Sequence, residues 1–128
     1  MKFTLDNINQ AHKTFTGSDF PKLIATFKDM GIVRNIVNIK TGKVSYVHAD
    51  GREIERLGIR VEKVADSTTI EQFKNRLRLH QAGKTDFLTF CDDTAAAGGE
   101  KWIVDIEAMT CTYYTSKNEV LFSEAIPH

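Results

Sequence analysis

The sequence predicts an α+β fold built from two helix-helix-β-meander units, with antiparallel strands and helices packed on the sheet. Three observations carry that expectation. Apolar residues recur at helical spacing in two stretches of each half, and each pair of stretches is followed by short β-rich runs divided by turn residues. Gly31, Gly83 and Gly98 stand where helical stripes stop. The shared element order also permits an ungapped comparison at a constant offset of 67 residues. At that offset Asp19 matches Asp86, Phe20 Phe87, Gly31 Gly98, Ile36 Ile103, Val37 Val104, Ile39 Ile106 and Tyr46 Tyr113, seven identities in 36 positions. Average composition would give roughly two. Ser45 with Thr112 and Ile54 with Leu121 are alike in character. Internal duplication into halves 1–64 and 65–128 is one explanation; the limited vocabulary of caps, glycine stops and apolar periodicity is the other.

Asp6 is the expected N-cap of a first helix that runs to Phe15, with Ile8, Ala11 and Phe15 on one face and Gly17 as its stop. Ser18 and Asp19 cap a second, in which Pro21 suits the first turn and Leu23, Ile24, Phe27 and Met30 form the stripe. Strands follow at 32–39 and 44–49, divided by Thr41-Gly42, and the Asp50-Gly51 turn leads to a third near Arg52. Gly58 interrupts that strand before the alternation Ile59-Arg60-Val61-Glu62. In the second half Thr68-Thr69-Ile70-Glu71 has the spacing of a capping box, ahead of a stripe made by Ile70, Phe73 and Leu77. Thr85 or Asp86 caps a shorter helix with Phe87, Phe90, Cys91 and Thr94 on one face. Strands are expected at 101–107, 111–115 and 120–124, with Pro127 and His128 loose at the end.

The chain has 128 residues, enough for one domain with a core that buries roughly two-thirds of the unfolded surface. It carries 17 basic and 17 acidic side chains, a net charge of zero. The zero is a sum of opposites, because residues 1–64 hold 11 basic and 7 acidic groups and residues 65–128 hold 6 and 10. No strongly basic balance points to nucleic acid. The first residues lack the apolar run of a secretory signal, and no stretch approaches the ~18 apolar residues of a membrane span, so a cytoplasmic protein without a membrane partner is expected. Two cysteines without CxxC spacing read as reduced and buried.

Each residue suited to chemistry also has a packing role open to it. Cys91 and His80 are the types that make a thiolate and its base. Yet Cys91 falls in the middle of an apolar stripe, and His80 flanks another, where bonding to a backbone carbonyl suits it better. Cys111 alternates in phase with Tyr113 on a short strand. Tyr46 and Tyr113, the matched pair, complete the list of weak catalytic candidates with His80, Cys91 and Cys111. No metal or cofactor is expected. His12, His48, His80 and His128 lie on separate elements, the carboxylate pairs Asp92-Asp93 and Asp105 with Glu107 lack a calcium-loop pattern, and no phosphate-binding loop is present. Arg52, Arg56, Arg60, Lys63, Lys74, Arg76, Arg78 and Lys84 form no single basic surface, which leaves nucleic-acid binding a weak alternative. Leu79 projects away from its helical stripe, and Val120-Leu121-Phe122 puts apolar residues on both strand faces, as an edge covered by a second subunit would.

Particular words carry a resemblance: His80-Gln81-Ala82-Gly83-Lys84-Thr85-Asp86, Phe90-Cys91, Glu100-Lys101-Trp102, Met109-Thr110-Cys111-Thr112-Tyr113-Tyr114 and Ile126-Pro127, with Ala11-His12 and Asp19-Phe20-Pro21 in the first half. Together they resemble the YdfO/YbcV-like family of small bacterial and prophage-encoded proteins, which bears the label phage envelope protein and has no established activity. The resemblance implies a compact α+β domain of bacterial or phage origin and supplies no catalytic residues. The expected function is a non-enzymatic interaction or structural module with a protein partner or as a homodimer. The competing expectation is a small enzyme or ligand binder with a site between the halves.

Overall fold

The computed structural model describes residues 1–15 and 19–127. Gly17 as a helix stop, Ser18 as a cap and the loose end at His128 lie outside the described residues. The elements run α1 (Leu5–Thr14), α2 (Phe20–Asp29), β1 (Ile32–Asn38), β2 (Lys43–His48), β3 (Glu53–Leu57), α3 (Ile70–Gln81), α4 (Phe87–Ala96), β4 (Gly99–Asp105), β5 (Thr110–Thr115) and β6 (Val120–Ala125). The α+β expectation and its order of elements hold. All strands join one antiparallel sheet in the order β3-β2-β1-β4-β5-β6.

Helix starts depart from expectation where side-chain geometry decides. α1 is capped by Thr4, whose hydroxyl accepts from the Asn7 N–H at 3.1 Å, and Asp6 sits within the first turn. Extended backbone at Thr4 points its oxygen at the free amides, and a residue already inside the helix cannot do that. The capping box does not form. Thr69 is the N-cap of α3 without a side-chain bond, and Glu71 turns instead towards Lys74, 3.7 Å away. Asp86 caps α4 as expected, accepting from Thr89 N–H at 2.8 Å. Gly31 and Gly98 both leave their helices at positive φ, +85° and +93°. There a side chain would be strained and obstructed as well, by the His48 ring at Gly31 and by the Ser67 carbonyl at Gly98.

The segment 59–62 is not a strand. Val61 anchors it beside the end of β1, where it is buried and donates to the Ile39 carbonyl at 2.8 Å, and Ile59 packs against the core. The core lies between the helices and one sheet face, where Tyr46 meets Phe27 edge-on at 5.6 Å and Tyr113 meets Phe73 at 4.7 Å. Ile70 and Phe87, expected in apolar stripes, are 43% and 45% exposed, and Leu79 is 40% exposed. Helix α3 thus packs on one side only.

The register has internal symmetry. Ile36 lies opposite Ile103, with Asn35 opposite Val104 and Val37 opposite Trp102. Since 103 − 36 is 67, positions matched in sequence are exchanged across this seam, and a pseudo-twofold axis passes through the Ile36/Ile103 pair. The flanking hairpins follow: Asn35 pairs with Tyr46 as Trp102 pairs with Tyr113, and Ile36 with Ser45 as Ile103 with Thr112. Symmetry slips by one residue at β6. Tyr46 faces Ile54, but Tyr113 faces Phe122, because an irregularity between Tyr113 and Tyr114 leaves Leu121 extra. Ile54 therefore answers to Phe122 in space, not to Leu121.

Candidate functional site

Among the described residues, polar chemistry is organised in a half-buried network under α1 and on the sheet face that the helices leave bare. The network joins three elements. Tyr46 on β2 points into the core, and its hydroxyl oxygen lies 2.9 Å from His12 Nε2 on α1 and 3.0 Å from Arg56 Nε on β3. An arginine nitrogen can only donate, so the Tyr46 oxygen accepts from Arg56, and the donor in its contact with His12 is set by the imidazole tautomer. His12 is neutral at neutral pH. Burial, then the charge of Arg56, hold its pKa down at about 4. The Tyr46 hydroxyl is raised above its ordinary value because burial outweighs the guanidinium, which lies 5.9 Å from the ring centre. Tyr46 is fully buried. This arrangement ties α1 to the sheet and offers no hydroxyl to a substrate.

Sequence reasoning named Tyr46 but missed His12 and Arg56 as its partners. One signal was available. Arg56 occupies the place that Glu124 takes in the other half once the one-residue slip is counted.

The matched tyrosine is wired differently. Tyr113 shares a side-chain hydrogen bond with the Cys111 thiol, and burial raises both, Cys111 to about 12 and Tyr113 well above its ordinary value. Cys91 is wholly buried on α4, and burial with the charge of Asp92 pushes its thiol up to about 12. Neither thiol is prepared as a thiolate. His80 stacks on Phe90, centroids 4.4 Å apart and planes at 11°, and its Nδ1 lies 3.2 Å from the Thr85 carbonyl. That is the backbone bond expected of it, and burial lowers its pKa. Among the described residues no hydrogen bond joins His80 to either cysteine.

Among the carboxylate candidates, Asp105 and one oxygen of Asp93 have partners, whereas the buried Asp93 Oδ2 has no hydrogen-bond partner among the described residues. Asp105 Oδ1 accepts from Ala108 N–H at 2.9 Å in the β4–β5 turn, and Asp93 lies 4.0 Å from Arg76 Nε. No group of three or more His, Cys, Asp or Glu is placed to hold a metal ion among the described residues. Of the basic residues, Arg52 pairs with Asp50 at 2.8 Å, Arg56 holds Tyr46, and Lys74 lies 5.5 Å from the Phe122 ring centre. The basic groups are spread through the fold. Among the described residues, no helix is long and apolar enough to cross a membrane.

The bare sheet face follows from strand alternation. Asn35, Val37, Val44, Tyr46, Trp102, Val104, Cys111 and Tyr113 are buried beneath the helices, so the intervening residues face the other way. Its middle row, read across paired strands, is Glu55, Ser45, Ile36, Ile103, Thr112 and Ser123. Thr112 and Ser123 hydroxyls bond at 2.8 Å. Two half-buried isoleucines thus mark the centre of the face, flanked by the buried Ser45 and the half-buried Thr112, with charge at the margins from Glu53, Arg34, Lys43 and Lys101.

Residues 9–125 match the sequence profile of the family described as "Protein of unknown function (DUF1398)". The chain is also 25% identical over 109 residues to "Uncharacterized protein YcgX" of Escherichia coli strain K12, a match covering 84% of this chain and 81% of that protein.

Proposed function

The chain belongs to the DUF1398 family, and on that premise we propose that it is a non-catalytic interaction or structural module whose working surface is the bare sheet face. The carrying observation is the contrast between the two sides of one sheet. Every thiol, imidazole and phenol considered for chemistry on the helix side is buried or bonded into the fold, whereas the opposite side displays an apolar centre with a polar rim. That composition is the anatomy of a protein-protein patch. The partner is then a protein surface with apolar groups at its centre, and we infer a bacterial or prophage setting from the resemblance to the YdfO/YbcV-like family. Duplication of a helix-helix-meander unit within a single domain is the origin we assign to the pseudo-twofold register. It accounts for two isoleucines meeting on the axis. The cytoplasm is the compartment that suits two buried, unbridged cysteines.

The test is capture of partners from a bacterial lysate with wild-type protein and with Ile103→Glu, which charges the centre of the face without touching the core. A partner held by wild type and lost by a folded Ile103→Glu supports the proposal. The same partners bound equally by both would overturn it.

A further inference from the structure

The two outer strands of the sheet, related by the pseudo-twofold, are guarded unequally. Strand β3 carries Glu53, Glu55 and Arg56 in five residues, the kind of charge that discourages edge pairing. Strand β6 has one charge, Glu124, in six residues, and Val120 at its start is 60% exposed. Its unsatisfied backbone can be located. Ile126 N–H reaches the Met109 carbonyl at 2.8 Å while Thr110 lies opposite Ala125, so the alternation of an antiparallel ladder turns Phe122 and Glu124 amides towards β5 and those of Ser123 and Ala125 outward.

We infer that β6 pairs antiparallel with β6 of a second copy of this chain, centred on Ser123, to make one continuous twelve-stranded sheet. A twofold interface is self-complementary, and an antiparallel edge strand meets that requirement by itself. Charge selects both occupant and register. Lys74 sits 5.5 Å from the centre of the Phe122 ring, and its contact with the exposed Glu71 is a long 3.7 Å. Glu124 has one carboxylate oxygen bonded to Gln81 Nε2 at 2.7 Å. Centring on Ser123 sets Phe122 opposite Glu124 of the partner subunit, which brings that carboxylate beside Lys74, and the twofold repeats the contact. Shifting the centre to Glu124 would oppose like charges directly. Centring on Ala125 would bring Pro127, which has no N–H, into the ladder. The inference is independent of what the bare face binds, because it concerns the protein alone.

Sedimentation of the purified chain from about 1 to about 300 μM is the first measurement, and a reversible dimer is expected at the upper end of that range. Ser123→Pro removes an outward amide, so it should leave the monomer folded by circular dichroism and abolish the dimer. Lys74→Glu and Glu124→Lys should each weaken association about tenfold, and the double exchange should recover it. Ser123→Cys should form an intersubunit disulfide on mild oxidation, since directly opposed residues of a hydrogen-bonded pair have Cα atoms about 5.5 Å apart. A monomer at every concentration, or a dimer that survives Ser123→Pro and gives no Ser123→Cys crosslink, overturns the inference. Either result leaves the proposed role of the bare face standing.

Discussion

Tyr46 shows how a single buried hydroxyl sets local stability and its pH dependence. Tyr46→Phe keeps the ring packed on Phe27 but strands Arg56 Nε and His12 Nε2, two half-buried groups that lose a partner. Leaving buried polar groups unpaired costs about 1–3 kcal/mol, measurable by urea denaturation. The matched Tyr113→Phe should cost less, about 1 kcal/mol, because its partner is a weakly bonding thiol. His12 adds a pH signature. Its folded pKa, about 4, lies below the ordinary 6.5, so between those values the unfolded chain holds a proton that the folded one refuses. Stability should therefore fall as pH drops from 6.5 towards 4, by roughly 2 kcal/mol after discounting for solvent screening, and the His12 contribution should flatten below 4. His12→Gln should remove that part of the slope; an unchanged slope would show that other groups set it. Neither effect was legible in the sequence beyond Tyr46 itself, because the three partners come from α1, β2 and β3 and nothing local announces their meeting.

Caps and turns set the strengths of individual elements, and they divide the readable signals from the unreadable. Thr85 and Asp86 both stand ahead of an apolar stripe as candidate caps, and it is the Asp86 carboxylate that accepts from Thr89. Thr68 and Glu71 had equally good spacing and failed, since a capping box needs the chain to enter the helix at Thr68 and it enters one residue later. Spacing specifies residue types, whereas entry angle is fixed by the tertiary path of 58–69, where the alternation at 59–62 reads as a strand that does not form. Thermal unfolding should register the difference: Asp86→Ala is expected to cost about 1 kcal/mol and Thr69→Ala only a few tenths. The strand ends tell the same story. Turn residues placed β1, β2, β4 and β5 within two residues, but the single-residue slip that sets Phe122 opposite Tyr113 has no marker in β6. The bare face accords with helices expected to cover one side of the sheet, whereas alternation alone says only that two faces differ.

At the scale of the molecule, the zero net charge resolves into two units of opposite sign joined along one seam. The β1–β4 pairing is the strand contact between the halves, and beside it Lys40 of the first lies 3.7 Å from Glu100 of the second. Each half alone would expose a central strand, Ile32–Asn38 or Gly99–Asp105, whose inner side is apolar and whose edge is unpaired. The linker divides cleanly for an experiment, because Val61 bonds to Ile39 and Ala65 to Ala95, each within its own half. Fragments 1–64 and 65–128 should therefore lack cooperative unfolding when separate and recover it when mixed. The pseudo-twofold register means that either fragment could in principle pair with itself, Ile36 on Ile36 or Ile103 on Ile103. Charge decides against that: self-pairing joins +4 to +4 or −4 to −4, and mixing joins +4 to −4. The mixed complex should form preferentially at about 50 mM salt, and its advantage over self-pairing should shrink towards 1 M, where screening shortens the electrostatic range to about 3 Å. Calorimetric titration of one fragment into the other, repeated across that salt range, measures both effects. Fragments that fold separately, or a mixed complex indifferent to salt, would show that the seam is held by packing and backbone pairing alone.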